Sequence, residues 1–117
     1  MRVPRRLSMT GRGEFARVRA EGTSKGGRYL VLATLPCADL TGLKIGFITS
    51  RKVGKAVERN RVRRRLRAIV SRHGSSIEDG RYLVMIARYT AARSTFAELE
   101  RDWLTLARKL NLLKEEP

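Results

Sequence analysis

Between positions 56 and 73 apolar residues recur at helical intervals. Val62, Leu66, Ile69 and Val70 stand at i, i+4, i+7 and i+8, a single narrow stripe along a helix. Projected at about 100° per residue, Asn60, Arg64, Arg67 and Ser71 fall opposite that stripe, with Arg61, Arg65 and Arg72 on one flank and Arg63 on the other. Elsewhere the period changes. Over 28–35, Tyr29, Val31, Ala33 and Leu35 alternate with Leu30, Leu32 and Thr34, which predicts a strand buried on much of both faces and places Tyr29 and Ala33 on the same one. Pro36 ends it. After a loop over 37–42, a second strand is predicted over 43–50 with Gly46 at its centre, and the two strands read as an antiparallel hairpin with a longer connection. A turn over 50–54 aims the helix, and Gly54 permits a positive φ or a close backbone approach there. The Ser- and Gly-rich stretch 74–80 reads as a loop, and YLVMIA within 81–88 as a central strand. A polar connection over 90–93 leads to Thr95 and Glu98, a capping box. Leu99, Trp103, Leu106 and Leu110 then form the apolar stripe of a closing helix, with Trp103 in the core.

Ahead of these elements a short helix is predicted over 10–19, opened by Thr10 or Gly11, with Met9, Phe15 and Val18 apolar and Gly22 as its stop. Residues 1–8 are basic and aperiodic, a flexible arm, and residues 114–117 are expected to fray. The order is α-β-β-α-β-α: an α+β fold in which a small sheet is covered by helices. With 117 residues the chain makes one domain, 1–117, with one core.

Charge changes the picture. Positions 51–73, RKVGKAVERNRVRRRLRAIVSRH, hold ten of the chain's 26 Lys and Arg residues, and only Glu58 opposes them. On a helix of mixed sign such a face is simply solvated. Here the like charges at i, i+3 and i+4 each cost roughly 0.2–0.5 kcal/mol, and a polyanion offsets that repulsion. Guanidinium groups match phosphate oxygens bidentately, and Asn pairs with a base edge or a 2′-hydroxyl. Arg59, Asn60 and Arg61, followed by Arg63, Arg64 and Arg67, therefore suit a nucleic acid. The formal net charge of +15 points to a permanent partner.

The string KVGKAVERNRVRRRLR at 52–67 closely resembles the signature of the bacterial ribonuclease P protein subunit, an Arg-Asn-Arg helix preceded by a Lys-x-Gly-x-Ala-Val turn. With lower identity the resemblance extends from about position 6 to 110. It implies the ribosomal-protein-S5-domain-2-like fold, with a left-handed crossover in the strand-helix-strand unit where patterning alone favours the right hand. It also implies that Arg51, Lys52, Lys55, Arg59, Asn60, Arg61, Arg63, Arg64 and Arg67 hold the catalytic RNA, one protein to one RNA. A cleft on the first helix and the sheet would receive the 5′ leader of precursor tRNA, with Phe15 as one aromatic wall; plain packing of a short helix is the alternative role for Phe15. Two aromatics usual in the family are replaced, by Arg19 and by Ala33. Guanidinium stacking by Arg19 and the ring of Tyr29 are the expected substitutes, with weaker dependence on leader sequence as the consequence.

No nucleophile with a paired base, no metal-ligating cluster and no phosphate loop is apparent, and eleven Asp and Glu with one His suit neither general acid–base work nor a metal cage. No catalytic and no metal-binding residue is therefore expected in this chain. The resemblance gives catalysis and Mg²⁺ to the ribonucleoprotein, with this chain as the non-catalytic subunit of the tRNA-processing endonuclease. Other classes are a ribosomal or structural RNA-binding protein and a self-sufficient nuclease. Cys37 stands alone, so no intrachain disulfide forms, and without an apolar leader or span the expected location is cytoplasmic. The narrow aliphatic stripe of the basic helix, lacking Trp and Phe, argues against a lipid surface.

Overall fold

The structure is a computed structural model and describes residues 12–114. The proposed arm at 1–8, the opening of the first helix at Met9 to Gly11, and residues 115–117 lie outside the described residues. The elements are α1 (Arg12–Glu21), β1 (Thr23–Gly26), β2 (Leu30–Pro36), β3 (Leu43–Ile48), α2 (Ala56–His73), β4 (Arg81–Ala87) and α3 (Phe96–Lys109). Short 3₁₀ turns at Arg51–Val53, Gly74–Ser76 and Tyr89–Arg93 join them. This is the expected α+β fold with one strand more than the sequence pattern indicated. β1 carries no apolar alternation, since all four of its residues are exposed. It exists because it pairs antiparallel with β2 at the sheet edge, Gly26 opposite Val31.

The sheet order is β1-β2-β4-β3, which corrects the expected hairpin of β2 with β3. β4 lies between them, antiparallel to β2 and parallel to β3. Composition gives the reason: β4 is apolar on both faces and takes a central place, whereas β3 carries Lys44 and Gly46 and sits at an edge. The 37–42 loop crosses the start of β4, where the Cys37 N–H donates to the Gly80 carbonyl and the Gly80 N–H to that of Gly42, at 2.8 and 2.6 Å. β3, α2 and β4 thus form the parallel strand-helix-strand unit.

Two cores flank the sheet. α2 and α3 cover one face, burying Leu30, Leu32, Ile45, Leu83 and Met85 against Val62, Leu66, Ile69, Leu99, Trp103 and Leu106. The predicted stripe of α2 is wholly buried, as is Trp103. α1 covers only part of the other face, where Val18 meets Ala33 and Val84, with Phe15, Leu35, Ile48 and Ile86 around them. The capping box of α3 is present: Thr95 Oγ1 accepts from the Glu98 N–H at 3.1 Å, and Glu98 Oε1 from the Thr95 N–H at 2.9 Å. At the C-terminal side, Leu113 bridges to Ile77 and the Lys114 N–H donates to the Ser76 carbonyl at 2.7 Å. Lys114 thus has a backbone partner in the turn after α2.

Candidate nucleic-acid interface

The turn that launches α2 needs glycine at 54. Gly54 has φ 147°, a backbone conformation that L side chains rarely adopt, and a Cβ there would lie 2.8 Å from the Glu58 carboxylate and displace it from the cap. That carboxylate folds back to accept the Lys55 N–H at 3.2 Å, satisfying one of the free donors at the helix start. Glu58, the single acid among ten bases, is thus spent on the cap and leaves the basic face unopposed.

The arginines of α2 divide into two sets. Asn60, Arg64 and Arg67 are exposed, as are Arg51, Lys52 and Lys55 on the preceding turn. Arg67 lies over the Phe47 ring of β3, its guanidinium carbon 5.7 Å from the centroid. Arg59, Arg61 and Arg63 are half-buried. Arg63 donates to Thr49 Oγ1 at 2.6 Å and to Asn60 Oδ1 at 3.4 Å, which fixes it beside the end of β3. Arg61 donates to the Ala92 carbonyl at 3.3 Å, and Arg65, one turn further along α2, to that of Ser94 at 2.8 Å. These two clamp α2 to the 3₁₀ turn that precedes α3. Sequence reasoning put Arg61 and Arg65 on one flank but had no means of finding carbonyl acceptors some thirty residues away.

On the other face of the sheet, α1 and the strands enclose a cleft lined by Phe15, Val18, Arg19, Gly22, Ser24, Val31, Ala33, Ile48, Val84 and Ile86. Phe15 and Arg19 come together there as expected. Tyr29 does not. The chain bends at Arg28 and Tyr29 before the strand begins, breaking the alternation that placed Tyr29 with Ala33. Three successive N–H groups, of Arg28, Tyr29 and Leu30, donate to the carboxylate of Asp102 in α3 at 3.2, 2.9 and 3.0 Å. The Tyr29 ring is buried in the α2–α3 core, and its hydroxyl donates to Glu98 Oε2 at 3.0 Å, a bond to a carboxylate that raises the phenol's pKa above its ordinary value. Tyr29 is thus a structural residue, and Val31, Ile48 and Ile86 supply the cleft lining that sequence reasoning missed. Their two-residue spacing along β2 and β4 was visible, but which sheet face a third helix leaves open was not.

The cleft and the basic helix meet at the β3 edge. Ile48 faces the cleft, while its neighbours Phe47 and Thr49 touch Arg67 and Arg63 on the opposite side. A bound chain that crosses this edge passes from an apolar groove onto guanidinium groups. The same residues match a known family over most of the chain: the profile of the family Ribonuclease P covers residues 3–111. This chain belongs to the ribonuclease P protein family. It is 34% identical over 99 residues to the ribonuclease P protein component of Syntrophomonas wolfei, covering 85% of this chain and 82% of that one. To the ribonuclease P protein component of Thermus thermophilus it is 40% identical over 109 residues, 92% of this chain and 62% of that longer one. Among solved structures, the ribonuclease P protein of Staphylococcus aureus superposes with a TM-score of 0.86 at 23% identity, covering 92% of this chain and 98% of that one. A Thermotoga maritima ribonuclease P protein, solved with 1-(4-fluorophenyl)-2-thiourea, superposes with 0.74 at 29% identity, covering 81% of this chain and 92% of that one. The fold of the ribonuclease P proteins is therefore the fold of this chain.

Proposed function

We propose that this chain is the protein subunit of a ribonuclease P ribonucleoprotein in the cytoplasm, one protein to one RNA. On this reading the exposed face of α2 and its launching turn hold the catalytic RNA, and the cleft beneath α1 takes the 5′ leader of precursor tRNA. The observation that carries it is the pairing of an unopposed guanidinium face with an apolar cleft across one strand edge. Structured RNA presents phosphates to the first, and single-stranded RNA presents unstacked bases to the second. Among the described residues no group of three or more His, Cys, Asp or Glu gathers to hold a metal ion. On this reading the Mg²⁺ of the ribonucleoprotein belongs to its RNA.

Mixing the purified protein with its catalytic RNA and precursor tRNA at low Mg²⁺ tests the reading. Cleavage stimulated only in the presence of that RNA supports it; cleavage by the protein alone means a self-sufficient nuclease, and no effect in either case a structural RNA binder. Phe15→Ala is expected to weaken binding of precursor tRNA to the assembled complex by about 1–3 kcal/mol while sparing mature tRNA. Equal losses for both tRNAs, with an intact circular dichroism spectrum, would make Phe15 a packing residue only.

A further inference from the structure

Glu58 is out of place by charge on the basic helix. It stands half-buried in the first turn of α2, between Lys55 and the Arg-Asn-Arg triplet at 59–61. Electrostatics alone makes it a liability there, since a carboxylate on that side repels phosphate. Its surroundings give it another part. The residue that opens α2 is Lys55, whose side chain makes no cap bond and has no acceptor to offer. The backbone donors at the helix start therefore lack the Ser, Thr, Asp or Asn that ordinarily meets them. Lys55 and Arg59 also place positive charge at the positive end of the helix dipole, which favours fraying. Glu58 opposes both effects: its Oε1 accepts the Lys55 N–H at 3.2 Å, and its charge has the favourable sign.

The backbone bonds around it leave a joint. On the turn side the Val53 N–H donates to the Ser50 carbonyl at 3.0 Å and the Gly54 N–H to that of Arg51 at 3.2 Å. On the helix side the Arg59 N–H donates to the Lys55 carbonyl at 2.9 Å. Between the two lies Gly54, the residue with the widest backbone freedom. The Glu58 carboxyl group spans this joint, bonded to Lys55 on one side and packed on Gly54 on the other, its three atoms 2.8–2.9 Å from where a Cβ would stand. We propose that Glu58 is a positioning residue for RNA binding: by tying the launching turn to α2 it holds Lys52, Lys55, Arg59 and Asn60 in one arrangement, and so raises affinity for a polyanion that its own charge repels. This rests on the reading of α2 and its launching turn as the face that holds the catalytic RNA. Cations fixed beforehand spare the complex the entropy of immobilising long side chains on a moving backbone.

Glu58→Gln and Glu58→Ala of the full chain, each checked for folding by circular dichroism, provide the test. Both remove the same charge, but only Gln keeps an oxygen that can accept the Lys55 N–H. Affinity for the catalytic RNA is measured by filter retention well below the melting temperature. Glu58→Gln is expected to bind at least as tightly as the unaltered protein, and Glu58→Ala about threefold to tenfold more weakly than Glu58→Gln. Helix propensity predicts the reverse order, because Ala is the better helix former. In hydrogen exchange the Lys55 amide should stay protected in the Gln protein and open in the Ala protein. Equal affinities of the two variants, at whatever level, overturn the inference, as does tighter binding by Glu58→Ala, which marks Glu58 as a mere charge on the face. Asp102→Ala, destabilised at the β1–β2 connection instead, should bind the RNA like the unaltered protein; a loss as large as that of Glu58→Ala would trace the effect to overall stability and also overturn it. The wider reading fails separately, if changing Arg64 and Arg67 together to Ala leaves RNA affinity and its salt dependence untouched.

Discussion

Asp102 has a structural role beyond the reach of its own neighbourhood in sequence. Its carboxylate collects the N–H groups of Arg28, Tyr29 and Leu30, fastening the β1–β2 connection to α3, and Gly27 leaves the room it needs, since a Cβ there would collide with both carboxylate oxygens. A carboxylate accepting several backbone donors makes strong, charge-assisted bonds, and removing it leaves those donors without a partner. Asp102→Ala is accordingly expected to lower stability by about 1.5–3 kcal/mol, read as a lower urea midpoint with an unchanged m-value. Asp102→Asn, which keeps one acceptor oxygen, should lose less. The same anchor turns Tyr29 away from the cleft, so the Asp102→Ala protein should also show a more exposed Tyr29 ring.

At the scale of elements, α2 is held to α3 by Glu100. Its carboxylate accepts from Arg72 at 2.8 Å and lies 3.1 Å from His73 Nε2, while His73 stacks on Trp103 with centroids 5.5 Å apart. Burial pushes the Glu100 pKa up, but the hydrogen bonds of His73 and Arg72 outweigh it and the pKa is lowered. A carboxylate with a depressed folded-state pKa contributes stability that is complete above the unfolded value, about 4.3, and is lost as pH falls through the folded one. Glu100→Gln should therefore be less stable than the unaltered protein at pH 7, and the difference should shrink in chemical denaturation below about pH 4. On the opposite side of α2, Arg64 and Arg67 are free to meet phosphate, whereas Arg65 is committed to the Ser94 carbonyl. Changing Arg64 and Arg67 together to Ala should reduce the slope of log K against log salt by about one to two units. Arg65→Ala should lower the melting temperature and change that slope less. An unchanged slope in the double variant removes the α2 face from the RNA interface.

For the whole molecule the dominant fact is a formal charge of +15, concentrated on one helix and its launching turn. Self-repulsion of this size weakens a compact state, and an anion that binds only the folded chain restores stability by mass action. Millimolar sulfate is therefore expected to raise the melting temperature well beyond equimolar chloride. Coincident melting curves in the two salts would mean that the fold already tolerates its charge. The two surfaces proposed to meet RNA lie on opposite sides of one sheet and approach each other at the β3 edge, so defects in them should separate. Loss of Asn60 and Arg64 together, both exposed, should be overcome by excess protein in reconstituted cleavage, and loss of Phe15 should not.

Sequence alone determined whatever depends on local period and local chemistry. The apolar stripe of α2 has a spacing that only a helix brings into line, and all four of its residues are buried. The capping box of α3 is closed by atoms three residues apart, and the net charge of +15 is a matter of composition. Tertiary structure decided what depends on long-range pairing. β4 displaced β3 from β2 because a strand apolar on both faces is best buried between two others. β1 formed without any apolar signal because β2 offered it an edge. Tyr29 left the cleft for the core because a carboxylate more than seventy residues away captured the backbone just before the strand. The floor of the cleft depends on Ala33, Val84 and Gly46 standing side by side across three strands, and hydrogen-bond register across the sheet, which no local pattern encodes, brings them together.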